Sequence, residues 1–397
     1  MTIELSEDRS AEGHPSAEPR SQLAWRAILA HSRSLGGLLL AIAIVWAIFF
    51  VMTDGIFLSD RNVINLFRQS SITAVVALGM LIVIAQGEID LSVGSLLGLC
   101  ATVVAMMETA GTFSPIVSVL IALLIGIAVG LWNGAWVAIL GVPAFVATLG
   151  GMLAFRGLSL ALSGGRTISG IRPQIRFIGE AFLTGPALWL FLLVALGLAL
   201  YPLRRISGSA QSRKSITTVV LGVSAVALLA WATLSYRGLP MPVAITLAVA
   251  ALLAGLLSNT VWGRHVFAVG GNRSAAKLSG IRVGSHIVIG YVLIGVLTAI
   301  ASLMFVGRLG AAPPEAGYFL ELNAISAVVI GGASLYGGTG TVPGVLLGAI
   351  LMQSLSNGLS LMNVPTAYQN MTSGLVLILA VYLDAVSKRG GKALLRS

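Results

Sequence analysis

Gly87-Glu88-Ile89-Asp90-Leu91-Ser92-Val93-Gly94-Ser95 places two carboxylates inside a chain that is otherwise lipid-like. Of its 397 residues, 57% are hydrophobic and only 10% charged, and the mean hydropathy is +0.96. A charged side chain at membrane depth costs roughly 2.5–3.5 kcal/mol on insertion scales, so an acidic pair between apolar runs has a partner or a task. A second stretch, Gly331-Gly332-Ala333-Ser334-Leu335-Tyr336-Gly337-Gly338, repeats the pattern Gly-x-x-(Asp/Ser)-Leu-x-x-Gly. Glycine-interrupted apolar segments in matching positions of two halves are the sequence mark of a transporter's working centre. Glu88, Asp90, Ser92, Ser334 and Tyr336 are therefore the candidate translocation and gating residues. For Asp90 and Ser92 a second reading stands beside this one: capping of the first turn of the next helix.

A soluble domain needs a polar surface, and this composition cannot cover one. The lone cysteine, Cys100, lies in an apolar run and excludes an intrachain disulfide framework. A net charge of +10 raises the question of nucleic acid, but its distribution answers against it. The basic residues gather in acid-free breaks between apolar segments: Arg204, Arg205, Arg213 and Lys214; Arg264, Arg273, Lys277 and Arg282; Lys388, Arg389, Lys392 and Arg396. That is the positive-inside pattern of a membrane protein.

A ruler of about 20 apolar residues per crossing finds twelve candidate spans, near 36–53, 71–86, 94–109, 116–140, 144–162, 188–203, 216–234, 242–258, 285–306, 321–335, 342–360 and 370–386. The runs are continuous, so they satisfy their own backbone as helices rather than as barrel strands. The expected fold is all-α, a polytopic membrane bundle of about 10–12 transmembrane helices with glycine-broken segments. Residues 1–34 read as a cytoplasmic tail, 35–387 as the membrane domain and 388–397 as a basic cytoplasmic tail. Counting crossings from an inside start puts all three basic clusters on one side. The loop 163–187 fits less well, because Arg166, Arg172 and Arg176 fall outside with only Glu180 to offset them; part of it is expected to fold back. Segments 71–86 and 321–335 read as the short ones, running into the two glycine breaks from the same side. Gly126, Gly130 and Gly134, and again Gly340, Gly344 and Gly348, form ladders that let helices approach closely in lipid.

Catalytic patterns are missing: there is no phosphate-binding Gly-x-x-x-x-Gly-Lys-Ser/Thr loop, no His-Glu-x-x-His and no Gly-x-Ser-x-Gly. His14, His31, His265 and His286 lack metal-ligand spacing, so no metal site is expected. Within the loop 263–284, Ser274-Ala-Ala-Lys-Leu reads as a short helix that Asn272 caps and Gly280 stops. It is either a docking element or a solvated loop that sets orientation. Arg156 and Arg308 sit at segment edges, where snorkelling competes with contact to a partner or substrate.

Four of these stretches resemble the signatures of ribose/xylose-type permeases of bacterial ATP-binding-cassette importers. They are Glu88–Ser95, Thr148–Gly157, Gly270 through Ile281, and Gly331–Gly338, and the likeness runs in order from about residue 50 to 386. It is strongest to the xylose-transporting branch, through Thr53-Asp-Gly, Arg61-Asn-Val and Asn357-Gly through Thr366. The extra loop and helix pair at 204–258 fits that branch, as does Glu88, where many members carry Gly. The resemblance implies a non-enzymatic permease subunit for D-xylose or a related pentose, placed multi-pass in the inner membrane with both termini cytoplasmic. It implies a second permease copy, a cytoplasmic ATPase and a periplasmic sugar-binding protein as partners. ATP and magnesium would belong to the ATPase, with no cofactor in this chain. Docking would fall on Gly271, Asn272, Arg273, Ala275, Ala276, Lys277, Ser279 and Gly280, and Arg156, Arg308 and Glu315 would serve the binding protein or the pathway. A self-sufficient secondary carrier is the rival class, and it normally needs ionisable groups deep in the bundle.

Overall fold

In the computed structural model, residues 20–201 and 237–393 are described, with scattered positions between 219 and 234; side chains are described from Leu35 to Tyr382 within those ranges. The basic cluster at 204–214 and the side chains of the cluster at 388–396 therefore lie outside the described residues, as does part of the span expected at 216–234.

The described residues are helical almost throughout. In order come α1 (Arg20–Met52), α2 (Asp60–Ala85), α3 (Val93–Ala110), α4 (Pro115–Ala138), α5 (Ala144–Ser163), α6 (Pro173–Glu180) and α7 (Gly185–Leu200). They are followed by α8 (Met241–Asn259), α9 (Val261–Gly271), α10 (Arg273–Leu278), α11 (Val283–Leu309), α12 (Leu320–Ile330), α13 (Val342–Leu361) and α14 (Thr366–Ala393). Eight of the described helices are long and apolar enough to cross a membrane: α1 from Leu35, α2, α3, α4, α5, α8, α11 and α13. Of the other expected spans, α7 has 16 residues and α12 has 11. Helix α1 begins at Arg20, inside the stretch read as a tail, although its apolar part starts at Leu35.

Helix α2 is the axis of the bundle, with every residue from Ser70 to Ala85 buried. It packs against α8, α11, α12 and α13. The expectation that it is short was wrong: it has 26 residues and starts at Asp60. Its polar first turns hide it from a hydropathy ruler. Asn62 is buried there because Asn357 of α13 answers it, with Nδ2–H donated each way at 2.8 and 3.0 Å, and because it also donates to the Phe57 carbonyl at 2.8 Å. A paired amide is tolerated in an apolar core where a lone one is not.

Both glycine ladders serve packing within the chain. On α4, Gly126 lies against the Gly295 carbonyl of α11, Gly130 against Tyr291 and Val292, and Gly134 against Val288. On the other side Gly344 meets Gly331, and Gly348 meets the Ala327 carbonyl of α12. The loop 163–187 folds back as expected. Strand β1 (Ile168–Ser169) pairs with β4 (Ala311–Ala312), β2 (Phe182–Leu183) pairs with β3 (Leu239–Pro240), and α6 presses Gly179 onto the backbone of Gly307 and Arg308. Glu180 is not the only offset for its arginines. Arg172 makes a bidentate pair with Glu108 at the far end of α3, at 2.7 and 2.8 Å, and donates to the Phe113 carbonyl at 2.7 Å. Ser118 adds a hydroxyl to the same carboxylate at 2.6 Å. That carboxylate holds the Arg172 guanidinium further above its ordinary range.

A side chain on Gly130 would overlap the Tyr291 carbonyl and the Val292 Cα, neither of which can yield as a flexible side chain would. Overpacking of this kind costs about 1–3 kcal/mol. G130A is expected to lower the thermal midpoint of the detergent-solubilised protein, and G130L to abolish a monodisperse peak in size-exclusion chromatography. G255A on α8, where nothing lies within 4 Å, is the neutral control.

Candidate functional site

The two glycine breaks come together. Helix α2 ends at Ala85 and the chain turns at Gly87, whose φ of +80° is strained for any side chain. Gly337 and Gly338, at φ +84° and +77°, make the matching turn in the second break. The Gly338 N–H donates to the Ala85 carbonyl at 2.9 Å. Gly270, at the end of α9, packs its Cα between that same carbonyl and the Gly338 nitrogen, and Gly337 lies against both Gly270 and the Gly87 nitrogen. Three chain breaks thus touch backbone to backbone, with no space for a Cβ between them.

Contacts with two other helices, α11 and α4, hold the first break in shape. Gln86 Nε2 donates to the His286 carbonyl of α11 at 2.8 Å, Tyr291 Oη donates to the Ile89 carbonyl at 3.3 Å, and Asn133 Nδ2 of α4 donates to Ser92 Oγ at 2.8 Å. Asp90 accepts both the Ser92 N–H at 2.8 Å and the Ser92 hydroxyl at 2.7 Å. This corrects the capping expectation: the bonds go to the residue just ahead of α3 and not to its first turn. Asp90 closes a local turn and stays buried. Glu88 instead reaches out of the break and pairs with Arg273, which also lies near the Gln86 carbonyl at 3.5 Å. In the second break the Ser334 hydroxyl accepts from the Tyr336 N–H at 3.2 Å, while the Tyr336 ring is 78% exposed. Tyr336 therefore borders the junction from outside and is not a buried wall of it.

Arg273 opens α10, the short helix read from the sequence. Asn272 caps it as expected, its side chain accepting from the Ala275 N–H at 2.9 Å, and Gly280 ends it at φ +82°. Ser279 returns its hydroxyl to the Ala275 carbonyl at 2.9 Å. Gly271 abuts Gly338. The two alanines differ: Ala276 is buried against the body, whereas Ala275, Lys277 and Leu278 point outward. Leu278 is 90% exposed, which the sequence does not signal, since its neighbours do not reveal which way a six-residue helix turns. His265 and His286 also meet, Nδ1 to Nε2 at 3.3 Å, and tie α9 to α11. Among the described residues no group of three His, Cys, Asp or Glu side chains could hold a metal ion.

Arg156, Arg308 and Glu315 do not form one site. Arg308, in the last turn of α11, donates to Asn65 Oδ1 at 3.2 Å beside α6. Glu315 is exposed, and its carbonyl accepts from the Tyr318 N–H at 3.0 Å. Arg156 lies deep in α5, donates to the Ala316 carbonyl at 3.2 Å and sits 5.6 Å from the Tyr318 ring centroid. Beside it is a residue that sequence reading passed over, Glu321, in the first turn of α12. In the sequence it opens an apolar run and reads as a span boundary.

A helical membrane chain with two glycine breaks joined at a short exposed helix has the build of a transport-system subunit. Residues 62–381 match the family model described as branched-chain amino acid transport system / permease component. The chain belongs to this family of permeases. It is 44% identical over 361 residues to the xylose transport system permease protein of Haemophilus influenzae, covering 89% of this chain and 96% of that one. It is 42% identical over 363 residues to the corresponding protein of Escherichia coli K12, covering 88% and 91%. The ribose import permease protein of Bacillus subtilis is 36% identical over 331 residues, covering 83% and 86%. No solved structure matches the permease. It is a multi-pass membrane protein and a transporter subunit rather than an enzyme.

The Glu88–Arg273 pair is the only side-chain ion pair among the described residues that joins a break to α10. E88Q keeps a hydrogen-bond acceptor for Arg273, whereas E88K sets two cations side by side. Uptake by cells is expected to survive E88Q, to fall below a tenth in E88K, and to recover in part in the charge-swapped E88K/R273E. Equal uptake by all three would remove any charge-specific role.

Proposed function

We propose that this permease carries D-xylose or a related pentose across the bacterial inner membrane, as a pair of copies, using a separate ATP-binding-cassette ATPase and a periplasmic sugar-binding protein. The relatives named for xylose transport support the sugar, being more alike to it than the ribose permease over a similar share of the chain. Both termini are cytoplasmic in this reading. ATP and magnesium belong to the ATPase, which docks on α10 and its flanking residues, 271–280.

One observation carries the docking role. Leu278 stands almost fully exposed on α10, beside exposed Ala275 and Lys277, while Ala276 is buried and the helix is tied to the first break through Arg273 and, through the adjoining Gly271, to the second. An apolar side chain presented by a helix that cannot move without moving the breaks is suited to receive a partner and pass on its motion. ATP binding in that partner would bias the breaks between two arrangements, by as much as its affinity differs between them. Glu88, Asp90, Ser92 and Ser334 would shape the moving segment. Tyr336, which stands exposed at its rim, would gate access to it.

L278D and A275R leave the bundle's packing untouched, because both positions face outward. Each is expected to accumulate normally, to lose co-purification of the ATPase and to abolish ATP-dependent xylose uptake in proteoliposomes. A276R is not an equivalent probe, since that residue packs inward. Full recruitment of the ATPase by L278D and A275R would refute the docking role. Uphill uptake by the purified chain alone, driven by a proton or sodium gradient, would favour a secondary carrier.

A further inference from the structure

Helix α12 begins inside the bundle. After α11 the chain makes the β4 strand, then returns inward through residues 313–319 without helix before Phe319, at φ +58°, starts α12. The start of α12 meets the start of α3: a methyl group on Gly94 would land on the Glu321 carboxylate and on the Gly317 carbonyl, and one on Gly98 on the Ala316 carbonyl. Along α12, about 15 Å separates Glu321 from the glycine junction, and along α3 about 21 Å separates Gly94 from the Glu108–Arg172 pair. Glu321 thus lies between the two ends of the bundle.

Glu321 is 6% exposed, and its Oε2 has no hydrogen-bond partner among the described residues. The carboxylate takes its own backbone N–H and feels the charge of Arg156, yet no ion pair closes between them. Arg156 spends one N–H on the Ala316 carbonyl and faces Tyr318, whose ring is 59% exposed. An unsatisfied buried acceptor costs about 1–3 kcal/mol, more when charged. Ionisable groups at membrane depth face an aqueous path or a partner group. Here the two helix N-termini add positive potential around that oxygen.

We propose that Glu321, Arg156 and Tyr318 form a sugar subsite within the permease, Glu321 accepting hydroxyl hydrogens, Arg156 donating to a hydroxyl or ring oxygen, and Tyr318 covering the C–H face of the ring. The three together match a pentose, which offers donors, acceptors and an apolar face at once. A proton site would need no aromatic wall and no free guanidinium N–H. This assignment rests on the reading of the chain as a sugar permease.

The test uses the full transporter, permease with ATPase and binding protein, in proteoliposomes. Initial rates are compared for D-xylose and for its monodeoxy analogues, in wild type, E321Q and R156K. The binding protein is the same throughout, so a change in the ratio of xylose to analogue belongs to the permease. A hydrogen bond to a charged group discriminates by about tenfold or more. Wild type is expected to prefer xylose, and E321Q to shift the ratio for at least one analogue by about tenfold, with R156K shifting it for a different one. Should E321Q fail to accumulate, R156K, partly exposed, carries the test. Unaltered ratios in the variants, at any absolute rate, or an effect confined to the pH dependence of uptake, would overturn the subsite. Absence of all sugar uptake by the wild-type complex would instead sink the permease reading itself.

Discussion

The contact on which this structure turns is made by backbone alone: the Ala85 carbonyl at the end of α2, the Gly338 N–H of the second break, and the Cα of Gly270 at the end of α9. A side chain at either glycine would force the three segments apart. Because α2 is buried along its final four turns, it has little freedom to follow if one partner shifts. Displacement of the α9–α10 elbow therefore has to be taken up by the breaks, where the chain has left the helical hydrogen-bond ladder. The Glu88–Arg273 pair reinforces the same joint, with Glu88 buried and Arg273 half exposed.

Polar chemistry in this bundle is arranged in satisfied local units. Asn62 and Asn357 answer each other, Asp90 closes on Ser92, Glu108 is taken up by Arg172 and Ser118, and the Thr102 and Ser159 hydroxyls meet at 2.8 Å. In a medium that supplies no water, each unit neutralises its own cost. Several buried polar atoms among the described residues lack a partner, Gln86 Oε1, Asn133 Oδ1, Thr298 Oγ1 and Ser302 Oγ among them, but Glu321 Oε2, between two helix starts, is the one that belongs to a carboxylate. The departure is informative because every comparable carboxylate nearby has a local partner.

Much of this is legible in the sequence. The glycine pattern marked both breaks, the Asn272 and Gly280 pair marked the limits of α10, and the four-residue ladders marked where α4 and α13 touch their neighbours. Each is a short-range rule with a short-range cause: left-handed φ, a capped N–H, the absence of Cβ. The readings that failed needed a partner distant in sequence. The first turns of α2 look too polar to enter a bundle until Asn357 arrives from α13. Arg172 looks uncompensated until Glu108 comes from α3. Ala275 and Ala276 look interchangeable until one is seen to face the body.

By itself the sequence determined that the chain lies in a membrane as helices, because its apolar surface cannot be hydrated and its backbone must be satisfied within each segment. It also determined where those helices break, since glycine and proline act on the residue that carries them. Only the tertiary structure decided which breaks share a joint, which face of α10 is left for a partner, and that Glu321 ends beside Gly94 with an oxygen to spare. These depend on distances between residues far apart in the chain, and nothing in local composition records them.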